Sequence, residues 1–253
     1  MTPLDATAIL AAGFVAGGMN AVVGAGTLIT FPALLAIGLP PVTANVTNTL
    51  GLVPGSLAGA YGYRDQLRDI RPILRQVALP ALAGGLTGAT LVLVLPAKSY
   101  SAVVPLLLLV AAALVALQPY ITARLARGRA VAAPGERRAS PLLLVAVYLV
   151  AVYGGYFGAA QGVLLLALFG VLLGGIQAAN GVKNVIAAIV NLAAAILFAF
   201  LAHPDWALVP LLMVSSFVGG FVGGRYGRQL PDALLRWFAV LLAVGVALKQ
   251  ILT

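Results

Sequence analysis

The chain has no cysteine, a single histidine and only six acidic residues among 253. Without cysteine there are no disulfides and no thiolate metal sites. One histidine, His203, is too few for the usual zinc and haem ligand sets. The carboxylates of Asp5, Asp65, Asp69, Glu136, Asp205 and Asp232 all fall in connectors or at the ends of apolar runs. Proton relays and cation pathways in membrane pumps usually rest on intramembrane carboxylates, so this pattern argues against a cation substrate and against carboxylate-based proton coupling. No carboxylate pair, metal cluster or histidine base is assembled, so neither an enzyme nor a cofactor is expected. Charge itself is scarce, at 8% of residues against 62% hydrophobic, which excludes a soluble domain of ordinary composition. No Lys or Arg precedes the first apolar run, Leu4 to Val23, so that run is expected to be a permanent helix rather than a cleaved signal.

What is present is a series of apolar runs, several of about twenty residues, rich in Leu, Ala and Val. A β-barrel would show short alternating strands instead. The expected class is an all-α, multi-pass integral membrane protein. Helices are predicted at Leu4–Val23, Thr43–Tyr63, Val77–Leu95, Tyr100–Pro119, Leu142–Phe157, Val182–Ala202, Ala207–Gly224 and Ala233–Leu248. Two shorter apolar pieces, Thr27–Ile37 and Val163–Ile176, would be roughly 16 to 21 Å long as helix, too short to span about 30 Å of hydrocarbon. The net charge of +9 resides in short connectors, where it reads as an orientation signal and not as a nucleic-acid surface.

From Gly24 to Gly55 the chain is apolar yet carries Gly24, Gly26, Pro32, Gly38, Pro40, Pro41, Gly51, Pro54 and Gly55, so uninterrupted helix is not expected there. Broken backbone at membrane depth is tolerated only where protein buries it or water reaches it. Such breaks build the binding sites of transporters. The break is duplicated at an offset of about 135 residues. Ala44-Asn45 matches Ala179-Asn180, Asn48 matches Asn184, and Gly24-Ala25-Gly26 faces Ala160-Gln161-Gly162. Gly84 to Gly88 faces Gly219 to Gly223, and Leu95-Pro96 faces Leu230-Pro231. This predicts a first repeat over 1–120, a basic cytoplasmic linker over 121–140 and a second repeat over 141–253. Arg64, Arg68, Arg71 and Arg75 crowd a first-half loop whose second-half equivalent has none, while Arg225 and Arg228 show the converse. Opposite polarity needs an odd number of crossings per half, hence two inverted five-segment repeats. The alternative is eight spanning helices with two re-entrant segments.

The candidate ligand residues cluster at the breaks. Lys183, in Asn180-Gly181-Val182-Lys183-Asn184, stands at the predicted start of an apolar helix. It would either snorkel to the interface or add to the positive helix end that favours a bound anion. Asn45, Asn48, Asn180 and Asn184 could donate to anionic oxygens, with Thr27, Thr47 and Gln161 as secondary candidates. The glycine clusters read as close-packing surfaces, and Asn191 could line the site or bond a neighbouring helix.

The run GAGTLITFPALLAIGLPPVTANVTNTLGLVPGSLAGAYGYR, Gly24 to Arg64, resembles the first-half signature of the sulfite exporter TauE/SafE family. YGGYFGAAQGVLLLALFGVLLGGIQAANGVKN, Tyr153 to Asn184, is similar to its second-half counterpart. In one departure, Gly158-Ala159-Ala160-Gln161-Gly162 carries Ala and Gln where the family pattern has glycines. The resemblance implies a permease for small sulfur-containing anions, such as sulfite, thiosulfate or organosulfonates, in a bacterial inner membrane. An anion channel is the alternative. The expected partners are a small anion and the lipid bilayer, with no nucleic acid; a homo-oligomer is compatible with the sequence, and no coupling ion is legible in it.

Overall fold

The computed structural model describes residues 2–126, 139–173, 176–226 and 232–252. Among the described residues the chain is helical throughout, with no strand. The helices are α1 (Pro3–Val22), α2 (Thr27–Ala36), α3 (Pro41–Gly62), α4 (Arg71–Val94), α5 (Ala97–Ala126), α6 (Pro141–Tyr156), α7 (Gln161–Leu173), α8 (Ile176–Leu201), α9 (Val209–Tyr226) and α10 (Asp232–Leu252). A 3-10 helix over Arg64–Ile70 joins α3 to α4. Within the described residues, Pro3–Val22, Arg71–Val94, Ala97–Ile121 and Gln177–Leu201 are each long and apolar enough to cross a membrane. The outward faces are apolar too: Phe200 is 83% exposed and Leu142 78%. In water that surface would be unfavourable by about 25 cal/mol per Å², so its solvent is lipid.

Small residues set the helix packing. On α1, Gly13 meets Leu212 and Ser215, Gly17 meets Ser216 and Gly220, and Gly18 meets Gly219 and Gly223. The order of these contacts makes α1 and α9 parallel. On α3, Gly51 meets Leu212, Gly55 meets Ser216 and Gly220, and Gly62 meets Gly224, so α3 runs the same way. Gly84 and Gly88 of α4 likewise seat successive turns of α6, from Tyr148 and Ala151 to Gly155 and Tyr156. Gly13 and Gly51 share Leu212, so α1 and α3 begin at one level, and residues 23–40 must climb back the roughly 28 Å that nineteen helical residues cover. α2 supplies only about half that length. α3 thus runs parallel to α1, where the eight-span alternative expects it antiparallel.

Two expectations need correction. The chain is not broken at Gly51, Pro54 and Gly55, because α3 continues through all three. Those glycines admit α9 at backbone distance, and the Gly51 carbonyl accepts from Ser216 Oγ at 2.6 Å, which pairs a group near the proline interruption. α5 runs over Ala97–Ala126, longer at both ends than the Tyr100–Pro119 expected from the sequence. Most of the basic linker, residues 127–138, lies outside the described residues, as do Arg228 and the Leu230-Pro231 landmark.

These contacts predict opposite outcomes for two helical glycines. A Cβ at Gly219 would sit 1.9 Å from the Phe14 carbonyl oxygen, whereas one at Gly245 would meet nothing within 4 Å. Gly219→Ala should lower stability by about 1 to 3 kcal/mol, while Gly245→Ala should be neutral or raise it by up to about 1 kcal/mol. Melting of the purified variants in detergent checks this, and equal losses in both would refute the packing assignment.

Candidate functional site

The site starts from the way α1 and α6 stop. Both end on one device: the Met19 carbonyl accepts from the amides of Val23 and Gly24, and the Tyr153 carbonyl accepts from those of Phe157 and Gly158. Gly24 and Gly158 then take φ of 81° and 76°, the left-handed region open to glycine. The conformational partner of Gly24 is thus Gly158, two residues before the Ala160 suggested by sequence matching. Ala160 itself holds φ 60°, a strained value for a residue with a Cβ.

From these turns the chain enters α2 at Thr27 and α7 at Gln161, and the two helix starts meet. The Gly162 amide donates to the Gly24 carbonyl at 3.1 Å. A Cβ on either glycine would fall within 2.5 Å of the other's Cα, so backbone touches backbone. The N-termini of two short helices therefore converge on one place, their first amides taken up by the carbonyls of Ala25 and Gly26 at α2 and of Gly158, Gly24 and Ala160 at α7. Polar side chains gather there. Thr30 donates its hydroxyl to Asn48 Oδ1, and Asn48 Nδ2 donates to Thr27 Oγ1 at 3.4 Å. Gln161, 3% exposed, packs over Gly154 and leaves its Nε2 without a partner. Gln161 Nε2 is thus a buried donor without an acceptor beside two positive helix ends.

The other candidates take separate posts. Lys183 is not in a first helical turn, because α8 begins at Ile176, two turns earlier. Its Nζ is fully buried and donates to the carbonyls of Asn20, Ala21 and Val22 at 3.5, 3.2 and 3.1 Å. Asn184 Nδ2 adds a fourth bond, to the Ala21 carbonyl at 3.1 Å. Lys183 and Asn184 thus cap the C-terminus of α1, behind the break. Asn45 does the equivalent for α6, with Nδ2 donating to the Tyr156 carbonyl at 3.1 Å and Oδ1 left unpartnered. Thr47 points elsewhere: its hydroxyl accepts from the Asp205 amide at 2.9 Å, in the turn before α9. Asn180 Oδ1 is buried without a partner. Asn191 bonds Ser56 Oγ at 3.0 Å, on α3.

Sequence reasoning missed Asn20, Ser56 and Thr30. Asn20 Oδ1 accepts from the Gly26 amide at 3.4 Å and its Nδ2 donates to Ser56 Oγ at 3.3 Å, so it fixes the first break from the last turn of α1. A lone amide one turn before a Gly-x-Gly break was the available signal. No group of three or more His, Asp or Glu that could hold a metal occurs among the described residues.

A model of the family described as sulfite exporter TauE/SafE matches residues 9–250. The chain belongs to that family. It is 27% identical over 248 residues to a probable membrane transporter protein, ORF9, of Sinorhizobium sp, covering 95% of this chain and 90% of that one. It is 30% identical over 257 residues to a probable membrane transporter protein of Haemophilus influenzae, covering 98% and 95%. A third relative, the probable membrane transporter protein YfcA of Escherichia coli K12, is 25% identical over 253 residues, covering 98% and 90%. No solved structure matches.

In this TauE/SafE chain the Lys183 clamp is open to direct test. Lys183→Met keeps the length of the side chain but orphans the carbonyls of Asn20 and Val22, that of Ala21 keeping Asn184, which should lower unfolding free energy by about 2 to 4 kcal/mol. Lys183→Arg should retain most of the lost stability. A Met variant that melts with the wild type would show that the clamp contributes nothing.

Proposed function

We propose that this membrane transporter of the TauE/SafE family is a secondary permease, not an enzyme, for small sulfur-containing anions such as sulfite, thiosulfate or organosulfonates. The observation that carries the reading is the meeting of two helix N-termini at Gly24 and Gly162, beside the unpartnered Nε2 of buried Gln161. Gln161 through its unpartnered Nε2, with Thr27 and Asn48, would donate to the oxyanion. Sulfur oxyanions present several acceptor oxygens and no donor when ionised, which fits a site made of donors.

Lys183 contributes at one remove. The end of α1 lies next to the beginning of α2, and its bare carbonyls would repel an anion held there. An ammonium on those three carbonyls cancels that negative end and leaves positive potential nearby. Asn184, Asn45 and Asn180 support the breaks, and Thr47 ties α3 to the turn before α9.

The mechanism we infer is alternating access by two inverted halves, 1–120 and 141–253, about the linker 121–140, in a bacterial inner membrane. The matched terminators at Gly24 and Gly158, the parallel course of α1 and α3, and the packing of α1 on α9 and of α6 on α4 support it. Each half would rock while the crossed backbone at Gly24 and Gly162 stays fixed.

Purified protein should melt higher in sulfite, thiosulfate or sulfoacetate than in chloride or a neutral solute. A ligand at a hundred times its Kd stabilises by about 2.7 kcal/mol. Gln161→Leu should melt like the wild type without anion and Thr27→Val lower, by about 1 kcal/mol or more, because it unpairs Asn48 Nδ2; both should lose the anion-dependent gain, along with labelled-sulfite flux in proteoliposomes. Absence of any anion effect on the wild type would defeat the substrate class, and single-channel currents would defeat alternating access.

A further inference from the structure

At the basic end of the molecule, where α3 and α9 finish side by side, lies a cavity of about 440 Å³ that the transport reading does not use. Its lining includes Tyr61, Arg64, Asp65, Phe221 and Arg225. The contacts of both arginines leave their charge in place. Arg64 donates to the Tyr61 carbonyl at 3.3 Å and lies 4.4 Å over the Tyr61 ring, and Arg225 lies 5.7 Å from the Tyr226 ring. A carbonyl and aromatic faces neutralise nothing, so among the described lining residues two guanidinium groups stand against the one carboxylate of Asp65.

The approach to this cavity is apolar. Leu57 and Tyr61, four residues apart on α3, are 48% and 58% exposed. Phe217 and Phe221, with the same spacing on α9, are 51% and 43% exposed. Residues four apart share a helix face, so each helix presents a greasy stripe that ends at a guanidinium. A soluble anion needs only the charge; a molecule with acyl chains below an anionic head needs the charge and the stripes together.

We infer that this cavity is a binding site for an anionic phospholipid, its phosphate oxygens held between Arg64 and Arg225 and its chains laid along the Leu57–Tyr61 and Phe217–Phe221 stripes. Arginine suits the task because its planar fork pairs with phosphate oxygens two at a time. Basic pockets between membrane helices are general sites for lipid headgroups. Because α3 and α9 both end here and both pack on α1, a lipid bound across them would bridge helices that carry the transport site. The inference is independent of which anion the protein carries.

The test is lipid retention. Wild type, Arg64→Gln with Arg225→Gln, and the control Lys98→Gln would be purified in neutral detergent with phosphatidylglycerol or phosphatidylcholine, and bound lipid counted by native mass spectrometry. Wild type and Lys98→Gln should keep phosphatidylglycerol in preference to phosphatidylcholine. The double variant should bind phosphatidylglycerol about thirtyfold more weakly, as two lost arginine contacts imply. If the double variant does not fold, Arg225→Gln alone should show about a fivefold loss. Equal retention of the two lipids would overturn the inference. Displacement of the lipid by inorganic phosphate would also overturn it, and would make the cavity a mouth for soluble oxyanions.

Discussion

A helix that stops inside a membrane leaves carbonyls and amides that lipid cannot satisfy, and much of this structure answers that constraint. α1 and α6 each stop short of the chain's turn back across the fold. The exposed end of α1 is closed by Lys183 and Asn184 from α8, and that of α6 by Asn45 from α3. Each half therefore supplies the cap for the other's break. Neither break could be dry and paired in an isolated half, which gives the two halves a reason to interlock beyond apolar packing. The donor that remains over is Gln161 Nε2, at the start of α7.

The same exchange governs the helix packing. α1 and α3 of the first half lie along α9 of the second, with glycine and serine at the contacts, while α4 lies along α6. In a membrane no water is released when helices meet, so close van der Waals contact and interhelical hydrogen bonds must hold them. Backbones that touch at Gly17, Gly55, Gly219 and Gly220 gain the contact, and Ser216 Oγ adds an interhelical hydrogen bond to the Gly51 carbonyl. Smooth glycine surfaces also have few side chains to unlock when one helix slides on another, which would suit the rocking proposed above.

Much of this is legible in the chain and some is not, for physical reasons. The short segments and the glycine-bounded breaks can be read because a membrane fixes how long a crossing must be. Gly51, Pro54 and Gly55 mimic a break, since glycine marks both a bend and a close approach, and only the partner helix distinguishes them. Lys183 looks like a first-turn residue because Gln177 and Asn180 delay the rise in hydropathy past the true start of α8 at Ile176. Thr47 groups with Asn48 by adjacency, yet neighbouring residues on a helix point about 100° apart, and its hydroxyl reaches the turn before α9. Asn20 and Ser56 give no periodic signal, being single polar residues whose partners lie on other helices.

The placement of Lys183 bears on selectivity. A lysine projecting into the site would pair directly with an anion and would have to release it at each cycle, against a strong low-dielectric attraction. Held by three carbonyls instead, the Lys183 side chain closes the end of α1 from behind the break. In the transport reading proposed above it would set the potential of the site without becoming a ligand, and the direct contacts would be left to neutral side chains, which bind more weakly and let go more readily. That division would suit a carrier, because turnover depends on release as much as on capture.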